Sequence, residues 1–294
     1  MTKPQEPKKS NKKAKKQRLD LLVLELELFE SRKEAQTAIM DGWVLVDGEK
    51  CTKVGTNIDT EANITLKTGF KKKAYVSRGG LKLEKALKEF KVDVSGLVCV
   101  DLGASTGGFT DCLLKHGAGI VYAVDVGYGQ LDWSLRNDER VILKERQNAR
   151  YLTPEILYGE AAVEANSKDP EDFDTFARFA CVDCSFISLG KIIPVIPPVL
   201  ASKNIKAICL VKPQFEAGRE EAKKGVVKDP KVHERVLESV AGFVENSGLK
   251  LTAATFSPVK GPSGNIEYLI LLEDEGIHLT SFGELVESAF TGLK

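Results

Sequence analysis

Cysteine, histidine, net charge and long apolar stretches are all scarce in this chain. Six cysteines in 294 residues (Cys51, Cys99, Cys112, Cys181, Cys184 and Cys209) are too few for a disulfide scaffold at this length. Cys99, Cys181 and Cys209 fall inside apolar runs that read as buried strands, so they read as reduced, small apolar fillers. Cys181 and Cys184 form a CxxC across the end of one such run, with no second pair and no nearby histidine. That leaves a tetrahedral zinc site incomplete, and no metal is expected. No apolar segment follows the basic N-terminus, because LDLLVLELELFE carries acids at helical spacing. The longest uncharged run, Ile192 to Ser202, contains three prolines. Neither suits a membrane span, and a cytoplasmic location is expected. The 42 Lys+Arg cancel the 42 Asp+Glu, but not locally: eight basic residues and one acid, Glu6, lie between Lys3 and Arg18. Such runs stay solvated and attract polyanions by releasing counterions. Residues 1–17 are therefore expected to form a disordered basic tail, which could equally serve solubility alone.

What is present suffices for a core and a smaller appended module: 43% of the residues are hydrophobic. From Arg18 onward Leu19, Leu22, Val23, Leu26 and Phe29 recur at helical spacing, while Ser31 is a helix N-cap with Glu34 three residues on. Gly42 ends the second helix, and Val44 to Val46 run into Asp47-Gly48, a type I′ hairpin signal, with Ile64 and Leu66 in a later strand. This stretch resembles the alpha-L RNA-binding motif of ribosomal small-subunit protein four, some pseudouridine synthases and tyrosyl-tRNA synthetases. The matching residues are Arg18-Leu19-Asp20, Ser31-Arg32, Ala35, Ile39, Gly42, Val44, Val46-Asp47-Gly48 and Lys53. The resemblance implies phosphate contacts by Arg18, Arg32, Lys33 and Lys53. Glu25, Glu27 and Glu30 confine any such contact to one face. Lys71-Lys72-Lys73 closes the module, and Tyr75 to Gly80 reads as a linker to a helix carrying Leu81, Leu83, Leu87 and Phe90.

Apolar runs then follow at Leu97–Leu102, Ile120–Val124, Val141–Leu143, Phe179–Val182, Ala207–Val211, Leu249–Phe256 and Tyr268–Leu272. They alternate with helical stretches at Thr110–Lys115, Leu189–Leu200 and Val232–Asn246. The expectation is an α/β, Rossmann-like seven-stranded sheet behind a small α+β domain. Its boundaries are 1–17 for the tail, 18–73 for the RNA-binding domain, 74–273 for the sheet domain and 274–294 for a C-terminal segment. Glu164 to Asp174 reads as an acidic surface loop, and Ser281 to Phe290 as a short terminal helix that packs on the domain.

Val100 to Gly108, VDLGASTGG, follows the first of these strands. Serine at position 105 breaks the dinucleotide fingerprint GxGxxG. The loop resembles instead the S-adenosylmethionine loop of Rossmann-like methyltransferases. By that resemblance Asp101, Gly103, Ala104, Ser105 and Gly107 line the cofactor pocket, and Asp125 at the second strand's end accepts from ribose hydroxyls. Asn148, with Arg150, borders the adenine.

Four polar residues complete the pattern. Asp183 and Lys212 each close an apolar run, FACVD and ICLVK, where open α/β sheets place their chemistry; Lys82 and Glu267 lie in SRGGLKLEKAL and SPVKGPSGNIEYL. With VDVGYGQLDWSLR, ERQNAR, VDCSFISL, LVKPQFEAG and KGVVKDPKVHERV, these segments resemble the TlyA family from Arg18 to Leu272. That family joins an alpha-L motif to a catalytic domain like that of the FtsJ rRNA 2′-O-methyltransferase; its usual DVSFISL is DCSFISL here. The resemblance implies a catalytic tetrad of Lys82, Asp183, Lys212 and Glu267, with Asp183 also beside the cofactor. It implies an S-adenosylmethionine donor and ribosomal RNA or ribosomal subunits as substrate, at cytidine. A ribose hydroxyl must lose its proton as the methyl arrives. Lys82 near Lys212 is expected to favour the neutral Lys212 amine, with Asp183 and Glu267 holding Lys82 charged. Moving a lysine from about 10.4 to near 7 takes roughly 4–5 kcal/mol. Lys260 and Ser263 are further candidates for RNA contact, or members of an ordinary glycine-rich turn. Three readings compete: a membrane-active haemolysin, which no apolar span supports; a non-catalytic RNA-binding factor; and a small-molecule methyltransferase, which leaves the basic module without a purpose.

Overall fold

The computed structural model describes residues 15–29, 31–69, 74–168, 176–201, 203–218 and 220–293, without the side chains of Lys33 and 165–168. The expected tail up to residue 14, Glu30, Lys71 to Lys73 and the stretch 169–174 lie outside the described residues. The chain divides between Lys72 and Lys73 into two compact units.

The smaller unit runs β1 (Lys16–Arg18), α1 (Leu19–Glu25), α2 (Arg32–Met40), β2 (Val44–Val46), β3 (Glu49–Lys50), β4 (Asn57–Asp59) and β5 (Ile64–Leu66). Ser31 Oγ accepts the Glu34 amide at 3.2 Å and starts α2 as its spacing predicts. Leu19, Val23, Ala35, Ile39 and Val44 form one core. Asp47 and Gly48 both take positive φ, 51° and 85°, which a two-residue type I′ turn requires. They close the hairpin in which Val46 faces Glu49. One expectation is corrected here. Lys16 and Gln17, assigned to the disordered tail, pair with Asp59 and Ile58 of β4 in a short antiparallel ladder. Isolated charges at alternate positions do not prevent a three-residue edge strand when a partner strand supplies the backbone bonds.

The larger unit contains α3 (Gly79–Phe90), β6 (Val98–Leu102), α4 (Gly108–Lys115), β7 (Ile120–Asp125), α5 (Trp133–Arg136), β8 (Val141–Glu145), α6 (Pro154–Tyr158), α7 (Glu160–Lys168) and β9 (Phe179–Val182). It continues with α8 (Ile196–Val199), β10 (Lys206–Val211), α9 (Pro213–Glu216), α10 (Pro230–Asn246), β11 (Lys250–Phe256), β12 (Tyr268–Glu273) and α11 (Gly283–Gly292). The sheet order is β11-β12-β10-β9-β6-β7-β8. Strands β6 to β10 are mutually parallel, and β12 runs antiparallel to both of its neighbours.

Side chains alternate between the faces. Val100, Leu102, Val182, Cys209 and Val211 pack in one core with Val236, Leu237 and Val240 of α10. Cys99, Cys181, Ile208 and Leu210 pack with Leu83 and Leu87 of α3 and Leu113 of α4. A sheet covered on both faces needs near-continuous apolar strands, which is why they stand out in the sequence. Cys99, Cys112, Cys181 and Cys209 fill these cores as free thiols; burial pushes the Cys99 thiol up to about 12, the range of an unreactive sulfur.

Two expected elements differ. The helix expected over Leu189–Leu200 is broken into 3₁₀ turns at Leu189–Lys191 and Ile193–Val195 followed by α8. Pro194, Pro197 and Pro198 each lack an amide proton and crowd the preceding turn, so no continuous α-helix can pass through. Of the loop expected at Glu164–Asp174, the described part belongs to α7; its alanines supply helix propensity that the acidic composition masks.

Candidate active site

The chain order reverses at β6, whose neighbours are β7 and β9. A crevice beyond the carboxyl ends of the strands is expected at such a switch point. Leu102 faces Val182 across the ladder, so Gly103 and Asp183 leave the sheet side by side. Gly103 sits at φ +90°, and a Cβ there would lie 2.9 Å from the Asp183 carbonyl oxygen. Gly107, at φ +94°, caps α4, and a Cβ there would overlap the Leu135 side chain. Both positions need glycine. Ser105 also takes a left-handed φ of 50°. Its amide donates to Asp125 Oδ2 at 2.8 Å, and Gly127 donates to Oδ1 at 2.6 Å. The acid expected to meet ribose hydroxyls thus also shapes the glycine-rich loop. Each oxygen keeps a lone pair for a ligand.

Because β12 is antiparallel and Val211 faces Tyr268, the residue after β10 and the residue before β12 emerge at the same sheet edge. These are Lys212 and Glu267. Lys82, on α3, reaches Glu267 Oε2 at 2.6 Å in a pair whose side chains are 9% and 1% exposed. Lys212 Nζ forms an ion pair with Asp183 Oδ1 at 2.6 Å. Lys212 also donates to Ser185 Oγ at 2.8 Å. The four tetrad residues therefore form two lysine–carboxylate pairs. This corrects the expected arrangement, in which both acids hold Lys82: Asp183 pairs with Lys212. The difference arises from strand order, which brings Glu267 to α3 and leaves Asp183 next to Lys212.

A cavity of about 450 Å³ is lined by Lys82, Gly103, Ser105, Asp183, Arg78 and Lys260. Lys260 is held there by its carbonyl, which accepts from Arg78 at 2.8 Å, whereas Ser263 is exposed in the neighbouring turn. A second cavity, of about 680 Å³, is lined by Asn148 and Arg150 together with Ser185, Phe186, Gln214 and Phe215. Asn148 Oδ1 accepts the Arg150 amide at 3.1 Å and so starts a short 3₁₀ turn. Sequence reasoning assigned no role to Ser185, Arg78 or Gln214. Ser185 lies two residues past Asp183 in the quoted motif, and its place just beyond a strand end was the available signal.

Asp101 is fully buried; Oδ2 accepts from Thr110 Oγ1 at 2.6 Å, while Oδ1 has no hydrogen-bond partner among the described residues. Burial pushes its carboxyl up to about 7, with Thr110 pulling the other way. The folded protein thus holds this proton more tightly than the unfolded chain, in which aspartate titrates near about 3.9. The stability contributed by the protonated group is complete below the unfolded value and is lost as pH rises through about 7. Urea unfolding of the wild type and Asp101→Asn should show the variant gaining about 3 kcal/mol on the wild type between about pH 5 and 7.5. A difference independent of pH would show that the carboxyl ionises freely. An unpartnered buried carboxylate oxygen beside a glycine cradle fits the ammonium end of an amino-acid-bearing ligand.

In the smaller unit, buried Asp20 accepts from Arg18 Nε at 2.9 Å, Arg32 Nε at 2.9 Å and Gln36 Nε2 at 3.0 Å. The Arg18 hydrogen bond leads in holding its carboxyl well below the usual range, against desolvation. Arg18 and Arg32 are thereby brought together with half-exposed guanidinium groups, 45% and 52%. Lys53 is exposed just before the Val54-Gly55 turn, whose Val54 carbonyl accepts the Asp20 amide at 3.3 Å, and the Lys33 side chain is outside the description. Among the described residues, no group of three or more His, Cys, Asp and Glu could hold a metal, Cys181 and Cys184 included. No helix among them is long and apolar enough to cross a membrane.

Comparison with known proteins accords with this geometry. Residues 75–274 match the FtsJ-like methyltransferase family and residues 17–64 the S4 domain family. The chain is 40% identical over 263 residues to the 16S/23S rRNA (cytidine-2′-O)-methyltransferase TlyA of Mycobacterium tuberculosis, covering 89% of this chain and 91% of that protein. It is 42% identical over 253 residues to Hemolysin A of Brachyspira hyodysenteriae, covering 86% and 98% respectively. A solved structure from Streptococcus thermophilus that carries the hemolysin name superimposes with a TM-score of 0.68 at 42% identity, covering 94% of this chain and 96% of that one.

Proposed function

Since the chain belongs to the FtsJ-like methyltransferase family and carries an S4 domain ahead of the catalytic one, we propose that it methylates the ribose 2′-hydroxyl of cytidine in ribosomal RNA. The observation that carries this reading is the pair of lysine–carboxylate couples at one sheet edge, with Lys82 and Asp183 on the wall of the cavity that the glycine-rich loop also lines. S-adenosylmethionine, when bound, supplies an electrophilic methyl group. Asp101, Gly103, Ala104, Ser105, Gly107, Asp125, Asn148 and Asp183 are the residues that would hold it. The unpartnered Asp101 Oδ1 and the two obligatory glycines support that fit.

In this reading Lys212 first gives up its ammonium proton to solvent and then, as the neutral amine, takes the proton of the 2′-hydroxyl, so that the oxygen attacks with an available lone pair. Asp183 and Ser185 fix the position of Nζ. Lys82, held by Glu267, donates to the same ribose oxygen and sets its direction of approach. Arg18 and Arg32, locked by Asp20, together with Lys33 and Lys53, contact RNA phosphates in the 18–73 domain. The C-terminal segment packs on the catalytic domain through α11, where the Phe290 ring lies 5.0 Å from that of His233. The enzyme works in the cytoplasm, where ribosomal subunits assemble.

The test is methyl transfer from labelled S-adenosylmethionine to subunits from a strain lacking the enzyme, followed by mapping of alkali-resistant positions. A cytidine that becomes alkali-resistant is expected, with subunit binding that weakens steeply as salt rises. Label on a base, or no incorporation, would reject the assignment.

A further inference from the structure

We infer that Glu216 is a positioning residue for the methyl transfer, acting through Lys212 by tying the turn that follows β10 to the loop that follows β9. The inference rests on the proposed function and adds to it the group that keeps the proton acceptor in register. Lys212 has two side-chain partners on that loop, Asp183 Oδ1 at 2.6 Å and Ser185 Oγ at 2.8 Å. Both belong to a different segment from the amine they hold, so the amine keeps its place only while the two segments stay together. Glu216 joins them directly: Oε2 accepts from Ser188 Oγ at 2.6 Å and Oε1 from the Leu189 amide at 2.7 Å.

The lever arms are short. The Phe215 amide donates to the Lys212 carbonyl at 2.9 Å, so α9 turns directly off the lysine, and Glu216 stands four residues past it. On the other segment Ser188 stands three residues past Ser185, and its Oγ also accepts the Gly190 amide at 3.1 Å, which starts the 3₁₀ turn at Leu189. The contacts close a small ring that runs from Lys212 through α9 to Glu216, across to Ser188, and back through Ser185 to the amine.

That ring contains strain. Phe186, between Ser185 and Ser188, takes a φ of 63°, a left-handed conformation that a bulky residue keeps only when its surroundings enforce it. Its side chain is 90% exposed and meets Phe215 of α9 at 5.0 Å between ring centroids, so burial is not what enforces the turn. The fixed points are Ser185, held by Lys212, and Ser188, held by Glu216. With Glu216 removed the downstream end is free, and three residues can span up to about 10 Å. Phe186 can then relax to an ordinary φ and carry Ser185 away from the amine. A carboxyl is also a costly choice for packing alone: burial pushes it up, with the Ser188 and Leu189 bonds pulling the other way. An apolar side chain would fill the same space without that desolvation, whereas a carboxylate fixes the direction of two bonds.

Single-turnover methylation of ribosomal subunits at saturating S-adenosylmethionine is compared for the wild type, Glu216→Ala, Glu216→Gln, Lys212→Ala and the double variant Lys212→Ala with Glu216→Ala. A displacement of about 1 Å can cost on the order of 10²-fold, so Glu216→Ala should lower the rate about 10- to 100-fold. On the Lys212→Ala background the same change should alter the residual rate by less than about twofold, because no amine is left to misplace. Glu216→Gln, whose amide can accept from Leu189 and donate to Ser188 Oγ, should regain most of the rate. Equal losses on both backgrounds would make Glu216 a general support of the fold and overturn the inference, as would an unchanged rate in Glu216→Ala. Should Glu216→Ala not fold, Ser188→Ala, which removes one of the two bonds, goes through the same cycle and is judged by the same criteria. A wild type that transfers no methyl sinks the proposed function; an active wild type indifferent to these changes sinks only the positioning role.

Discussion

Lys212→Ala lowers methyl transfer by about 10²- to 10⁴-fold, the contribution of a positioned proton acceptor, while the protein stays folded. Lys212 follows β10 with its amine held by Asp183 at 2.6 Å and Ser185 at 2.8 Å, so the side chain is fixed at the sheet edge rather than free to be replaced by solvent. Single-turnover methylation of ribosomal subunits measures the effect directly. Lys212→Arg sharpens the test. Arginine retains the cation that pairs with Asp183 but stays protonated, so it should be nearly as inactive as alanine if the lysine serves as a base. An arginine variant with close to full turnover would reduce Lys212 to a charge that positions substrate. Because Asp183 also borders the glycine-rich loop, cofactor affinity of both variants must be measured in parallel. A rate loss accompanied by an equal loss of binding would move the defect from proton transfer to assembly of the site.

The second large effect concerns stability as well as rate. Lys82 and Glu267 form a pair whose side chains are 9% and 1% exposed, and Glu267 is packed so tightly that a Cβ on Gly261 would lie 2.5 Å from its Oε1. Removing one member of such a pair leaves the other charge buried without a counter-ion. Lys82→Ala should therefore lower the unfolding free energy by about 3–5 kcal/mol, or roughly 10 °C in Tm for a domain of this size. The double variant Lys82→Met with Glu267→Leu removes both charges and fills similar volume, so it should regain most of the lost stability, as replaced buried ion pairs do. It should remain without methyl transfer. Recovery of stability without activity would show that the pair is kept for chemistry at the cavity wall. If the single variant is as stable as the wild type, the pair is solvated more fully than its burial implies.

Much of this was legible from residue order alone. The buried strands announced themselves as apolar runs because a sheet packed on both faces leaves little room for polar side chains between Leu97 and Leu102 or between Ala207 and Val211. The Asp47-Gly48 turn was legible because few dipeptides tolerate two successive positive φ angles. The glycines at 103 and 107 announced a close approach that the structure locates against the Asp183 backbone and Leu135. The helix expected over Leu189–Leu200 is broken because its hydrophobic spacing is interrupted by three prolines. Acidic composition concealed α7, and β1 was hidden because its ladder partner, β4, lies some forty residues away in the chain.

The class of fold, and the candidacy of Lys82, Asp183, Lys212 and Glu267 as its reacting groups, were legible in the chain's local patterns and in family resemblance. Which acid neutralises which lysine was decided only in three dimensions. The antiparallel insertion of β12 between β10 and β11 turns the start of one strand toward the ends of the others, and nothing in a strand's own residues records its neighbours. The same holds for Ser185 and Gln214, whose surroundings depend on how the loops after β9 and β10 fold onto each other. A polar side chain shows its partner, or the lack of one, only when distant segments are brought together.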